Sequence, residues 1–120
     1  MKKLCLNLIF VLGLIITSVA QEKPKPTLYN PSADAKADIA AAVKKAAAEN
    51  KHVILQLGGN WCGWCILYNN LVTTNDTLKT YVDKNYVTVH VNYSQENFND
   101  EVFKSLGFPQ RFGFPVFVVL

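Results

Sequence analysis

The sequence predicts an α/β domain, with helices packed on a central β-sheet. Apolar periodicity switches along the chain in the order helix, strand, helix, strand, helix, strand. His52-Val53-Ile54-Leu55-Gln56-Leu57 is a nearly unbroken apolar run, the pattern of a strand covered on both faces. From Tyr86 to His90 and Val91 the residues alternate, which sets Val87, Val89 and Val91 on one face of a second strand.

The chain has 120 residues, enough for one domain, and 50% hydrophobic content with 18% charge excludes a disordered polyelectrolyte. Residues 1–20 have the pattern of a secretory leader. Lys2 and Lys3 precede an apolar stretch from Leu4 to Ile16, and Ser18-Val19-Ala20 supplies small residues for cleavage. The competing reading is a retained membrane anchor, for which thirteen apolar residues are short of the roughly 20 needed to span a bilayer. Cys5 lies at the very start of the apolar stretch, where a lipid-attachment cysteine would follow it, and is expected to be removed with the leader. The formal charge of +3 then falls to +1, and no basic stripe suggests nucleic acid.

Residues 21–33 (QEKPKPTLYNPSA) hold Pro24, Pro26 and Pro31 and read as an extended linker. A helix over residues 33–50 follows, with Ser32 as N-cap and Ile39, Val43, Ala46 and Ala47 on its inner face. Gly58-Gly59 ends the first strand. A second helix is expected over residues 62–80, with Leu67, Leu71, Leu78 and Tyr81 pointing inward and Asn75-Asp76 as the place for a kink. After the alternating strand come a polar stretch, 92–99, and a short helix over residues 100–106. Turns at Gly107-Phe108-Pro109 and Phe112-Gly113-Phe114-Pro115 lead to a last strand over residues 116–120. Phe98, Phe103, Phe108, Phe112 and Phe114 are expected mostly in the core, with Phe108, Phe112 and Phe114 as an alternative apolar rim to the active site. Asn75-Asp76-Thr77 and Asn92-Tyr93-Ser94 match the glycosylation pattern.

The chain is organised around Trp61-Cys62-Gly63-Trp64-Cys65. In an exported chain cysteine pairs are usually staples, yet two cysteines three positions apart close almost no loop. A redox or metal role therefore fits better. A cysteine at a helix start meets unpaired N–H groups and a partial positive charge, and both stabilise a thiolate. Cys62 holds that place, and Cys65, one turn on, is expected to be less exposed. The competing reading is half a zinc site, which needs two further ligands. His52 and His90 lack ligand-like spacing, so no metal site is assigned.

The segment VILQLGGNWCGWC and, fifty residues after Cys62, FGFPVFVVL together resemble the thioredoxin superfamily. Within it the chain looks like the small exported thioredoxin-like proteins whose motif is Trp-Cys-Gly-x-Cys. The resemblance covers residues 34–120. It implies a thioredoxin-like fold, Cys62 as nucleophile, Cys65 as resolving cysteine, and Pro115 as the family's cis-proline. It also implies that Trp61, Gly63, Trp64, Phe114 and Pro115 contact the substrate chain. Taken without the resemblance, Pro115 reads as an ordinary strand-entry proline and Trp61 as a core aromatic.

Three departures stand against the resemblance. The family's buried aspartate, six residues before the first cysteine, is here Gln56, which accepts no proton at neutral pH. Gly63-Trp64 replaces the Gly-Pro that tunes the redox potential in thioredoxin. The family fold continues with one more strand and a helix, whereas this sequence ends at Leu120 and leaves Val116 to Val119 at an uncovered edge.

Two functions are compatible with these residues. The first is a periplasmic or secreted thiol–disulfide oxidoreductase, with reduction or isomerisation favoured over oxidation. It acts on protein or peptide disulfides, takes electrons from a thiol partner, and needs no bound cofactor beyond the Cys62–Cys65 couple. It contacts a membrane only if the leader is retained. The second is a thioredoxin-fold binding module or metal carrier without turnover.

Overall fold

The strand from His52 to Gly58 (β1) lies in the middle of the sheet, and its apolar run matches cover on both faces. It pairs in parallel with Tyr86–Asn92 (β2) and antiparallel with Val116–Val119 (β3), giving the order β2-β1-β3. The computed structural model describes residues 27–120; the leader and the first part of the linker lie outside the described residues. None of the described helices is long and apolar enough to cross a membrane.

One face of the sheet carries Val53, Leu55 and Leu57 of β1, with Val87, Val89 and Val91 beside them on β2 and Val116 and Val118 on β3. It packs on Ala35–Glu49 (α1) and on the short helix Asp100–Ser105, whose Phe103 is wholly buried. The buried stripe of α1 is Ala35, Ala42 and Ala46 with Ile39 partly buried beside them, small side chains that let the helix lie close to the strands. Val43 and Ala47, expected inside, point outward. The N-cap is Asp34 rather than Ser32: its carboxylate accepts from Ala37 N at 3.0 Å. Ser32 is instead tied into the preceding turn, its N–H donating to Asn30 Oδ1 at 3.0 Å.

The other face carries Ile54, Gln56, Thr88, His90 and Phe117, and is covered by Gly63–Thr74 (α2) and Asp76–Asn85 (α3). The expected kink is a full break. Asn75 closes α2 and caps α3, accepting from Leu78 N at 3.0 Å. Leu67, Leu71, Leu78 and Tyr81, expected inside, are exposed. The residues turned to the sheet are Tyr68, Val72 and Val82, with Tyr68 against Phe117 at 4.7 Å between ring centroids. Between these helices and the sheet lies a cavity of about 140 Å³.

Gly107 and Phe108 turn the chain in the left-handed region, with φ of 78° and 58°. A 3₁₀ turn, Pro109–Phe112, leads to Gly113 and then β3. Of Phe98, Phe103, Phe108, Phe112 and Phe114 only Phe103 is fully buried; Phe98, Phe108 and Phe112, which lie in or beside loops and a 3₁₀ turn, are exposed. β3 is an edge strand with Val119 exposed. Asn92 of the second glycosylation triplet is buried, donating to Ser94 Oγ and Asn97 O, and is closed to a glycan in the folded chain.

Candidate redox site

β1 delivers the chain to the site through Gly58. A Cβ there would overlap Cys65 Sγ and lie 2.8 Å from the Tyr29 hydroxyl, so only glycine lets the strand end this close to the sulfur. Cys62 N then donates to Gly59 O at 3.0 Å, closing a turn that sets Cys62 at the N-cap of α2. Cys62 Sγ accepts from Cys65 N at 3.2 Å, taking the place that an oxygen fills in ordinary caps. The two cysteines form a disulfide with Cα atoms 5.3 Å apart. Cys65 is fully buried and Cys62 is 5% exposed, the order expected for a pair one turn apart.

The residues around the sulfurs fall into two groups. Trp61 donates its indole N–H to Tyr93 O at 2.6 Å and meets the Phe114 ring edge-on at 5.4 Å. Tyr93 stacks on the other side of this cluster, 5.1 Å from Phe114. Phe114 itself packs against the disulfide, and its bond to Pro115 is cis. Trp64, 73% exposed, lines an apolar groove with Leu67, Tyr68, Leu71, Phe114 and Pro115. Gly63 faces open space. The structure thus gathers Trp61, Gly63, Trp64, Phe114 and Pro115 around the cysteine pair. The exposure of Leu67 and Leu71 follows from the same groove.

Behind the sulfurs lies a second group that the sequence did not single out. Gln56 is buried, donating from Nε2 to Cys65 O at 3.1 Å and to the Tyr29 hydroxyl at 3.0 Å. Tyr29, within the stretch read as linker, is 2% exposed and packs with Cys62 and Cys65. Asn60 clamps its backbone, accepting from Tyr29 N at 2.9 Å and donating to Tyr29 O at 2.7 Å. Packing therefore reaches back into residues 27–33. The one available signal was Leu28-Tyr29, an apolar pair in an otherwise polar segment. Burial pushes the Tyr29 phenol up to about 12, with the Gln56 hydrogen bond acting the other way.

His90 lies beside Gln56 in register and meets the Tyr29 ring edge-on at 5.6 Å. Burial lowers its pKa, which keeps the ring neutral. Among the described residues no group of three or more His, Cys, Asp or Glu side chains is placed to hold a metal ion.

A mixed sheet flanked by helices, with a Cys-x-x-Cys disulfide at a helix start, defines a thioredoxin-like protein. A family model described as Thioredoxin-like matches residues 34–120, and the chain belongs to that family. A disulphide isomerase from Xylella fastidiosa Temecula1 has a similar structure, with a TM-score of 0.70 and 25% identity, covering 84% of this chain and 73% of the other. No curated protein matches the chain. The disulfide and these likenesses support thiol–disulfide redox chemistry in general.

Proposed function

We propose that this chain is an exported thiol–disulfide oxidoreductase acting on protein or peptide disulfides. The observation that carries the reading is Cys62 at the N-cap of α2, its sulfur already receiving a backbone N–H from Cys65 at 3.2 Å. On reduction that donor and the helix terminus stabilise a Cys62 thiolate.

The thiolate attacks one sulfur of a substrate disulfide. The new S–S bond joins Cys62 to the substrate, and the displaced substrate sulfur leaves with the electron pair and takes up a proton. Cys65, as thiolate, then attacks Cys62 Sγ. The Cys62–Cys65 disulfide forms and the second substrate sulfur departs, also to be protonated. The substrate gains two electrons and the cysteine pair loses them; a thiol partner restores the dithiol. Trp61, Gly63, Trp64, Phe114 and Pro115 form the wall against which the substrate chain lies, with the Phe114 backbone pairing to it in a short β-type contact.

The likeness to a disulphide isomerase supports disulfide exchange broadly, the nearness of the motif to Trp-Cys-Gly-x-Cys favours a reductase or isomerase direction, and the leader pattern of residues 1–20 supports a periplasmic or secreted site. The test is reduction of insulin-type disulfides by the wild type and by Cys62→Ser, with Cys65→Ser expected to trap a mixed disulfide through Cys62. Wild-type turnover that vanishes in Cys62→Ser supports the reading. An inert wild type that binds a soft metal stoichiometrically would replace it with the carrier reading.

A further inference from the structure

We propose that the Tyr29 hydroxyl stabilises the Cys65 thiolate: in the reduced pair it donates its hydrogen to the Cys65 sulfur and favours the thiolate that closes the disulfide. This deepens the exchange reading and rests on it for its role in turnover. Gln56 stands six residues before Cys62, spends both Nε2 hydrogens on Tyr29 Oη and Cys65 O, and has none left for the sulfur. Tyr29 receives one of those hydrogens on its oxygen, so its own hydrogen is free to point elsewhere. His90, whose ring meets that of Tyr29, has its Nε2 buried without a hydrogen-bond partner among the described residues, so the hydroxyl is not spent there.

A Cβ on Gly58 would run into both Tyr29 Oη and Cys65 Sγ, so the two atoms face the same side of Gly58. The tyrosine is held in that place from both ends. Asn60 fixes its backbone through two hydrogen bonds, and Gln56 fixes its hydroxyl oxygen. The titratable groups facing this point are Cys62 and His90. Lys79 and Asp83, which pair with each other, reach the cavity that Gln56 and His90 also line.

The proton balance is simple. The Cys65 thiol releases its proton to water, while the hydroxyl hydrogen bond holds the resulting thiolate. The sulfur then attacks Cys62 Sγ, and the departing substrate thiolate takes a proton from water. Tyr29 is neutral before and after, as its high pKa requires.

The test is the titration of Cys65 in the reduced full chain, read from its ¹³Cβ shift in a Cys62→Ser background that removes coupling between the two thiols. Adding Tyr29→Phe keeps the ring and the Asn60 clamp and removes only the hydroxyl. We expect the thiolate fraction of Cys65 at pH 7 to fall about tenfold, the effect of losing one hydrogen bond to a charged group. In the native pair, Tyr29→Phe should lengthen the life of the Cys62 mixed disulfide by a similar factor at neutral pH, with the difference closing at high pH. Coincident Cys65 titrations with and without the hydroxyl overturn the proposal. If Tyr29→Phe does not fold, Asn60→Ala loosens the same clamp, and an unmoved Cys65 titration there is equally fatal. A wild type without disulfide turnover but with the titration shift intact refutes the exchange reading alone.

Discussion

Trp61 and Tyr93 are joined by a hydrogen bond from the indole N–H to the main-chain carbonyl, 2.6 Å long, that ties the turn before Cys62 to the residue after β2. Both rings also flank Phe114, so three separate chain segments meet at one aromatic cluster beside the disulfide. Replacing Trp61 with Phe keeps a ring and loses the donor. Because Trp61 is largely exposed, the expected cost is about 1 kcal/mol, the net worth of one hydrogen bond. Urea unfolding of the oxidised protein measures it, and a change well above that would mean the aromatic cluster has come apart.

Gly58 makes a sharper prediction. A side chain there would run into both Cys65 Sγ and the Tyr29 hydroxyl, and neither a β-strand backbone nor a disulfide yields easily. Gly58→Ala should destabilise the oxidised protein by about 1–3 kcal/mol, the usual cost of overpacking. Gly63→Ala, at a site open to solvent, should cost well under that even at the start of a helix. Thermal melts of the two variants side by side check the contrast.

Tyr29 and the half-buried His90 each give stability a pH dependence. The Tyr29 phenol is raised from 10.0 to about 12, so its neutral form is favoured by folding. That contribution is fully present below about pH 10 and is lost as pH rises through about 12, for a total of roughly 2–3 kcal/mol. His90 is shifted the opposite way for a base: burial disfavours its charged form. Its contribution is present above the unfolded value near 6.5 and is lost as pH falls through the lower folded value. Denaturant midpoints across the pH range should therefore decline at both ends. Tyr29→Phe should remove the alkaline decline, and His90→Asn the part of the acid decline that belongs to the ring.

The sheet and the cysteine pair were legible in the sequence because their signals are local. Period-two alternation placed Val87, Val89 and Val91 on one face, and the apolar run of β1 marked a strand whose two faces are both covered. The orientation of α2 was less legible. Leu67 and Leu71 have helical spacing, but Tyr68 and Val72 have it too, and periodicity alone does not choose between adjacent stripes. Tyr29 was the hardest to see. Its burial depends on a contact with Asn60, 31 positions away, and nothing in a proline-rich segment announces such a partner.

That difference in α2 can be measured. Phe103 is wholly enclosed between the sheet and α1, so Phe103→Ala should cost about 3–5 kcal/mol. Leu67 is 58% exposed on the groove beside Trp64, so Leu67→Ser should change stability by no more than about 0.5 kcal/mol. A helix packed as the leucine spacing suggests would give Leu67→Ser a core-sized penalty instead. Equal losses at the two positions would place α2 about one residue further round on its axis, with Leu67 against the sheet and Tyr68 in solvent.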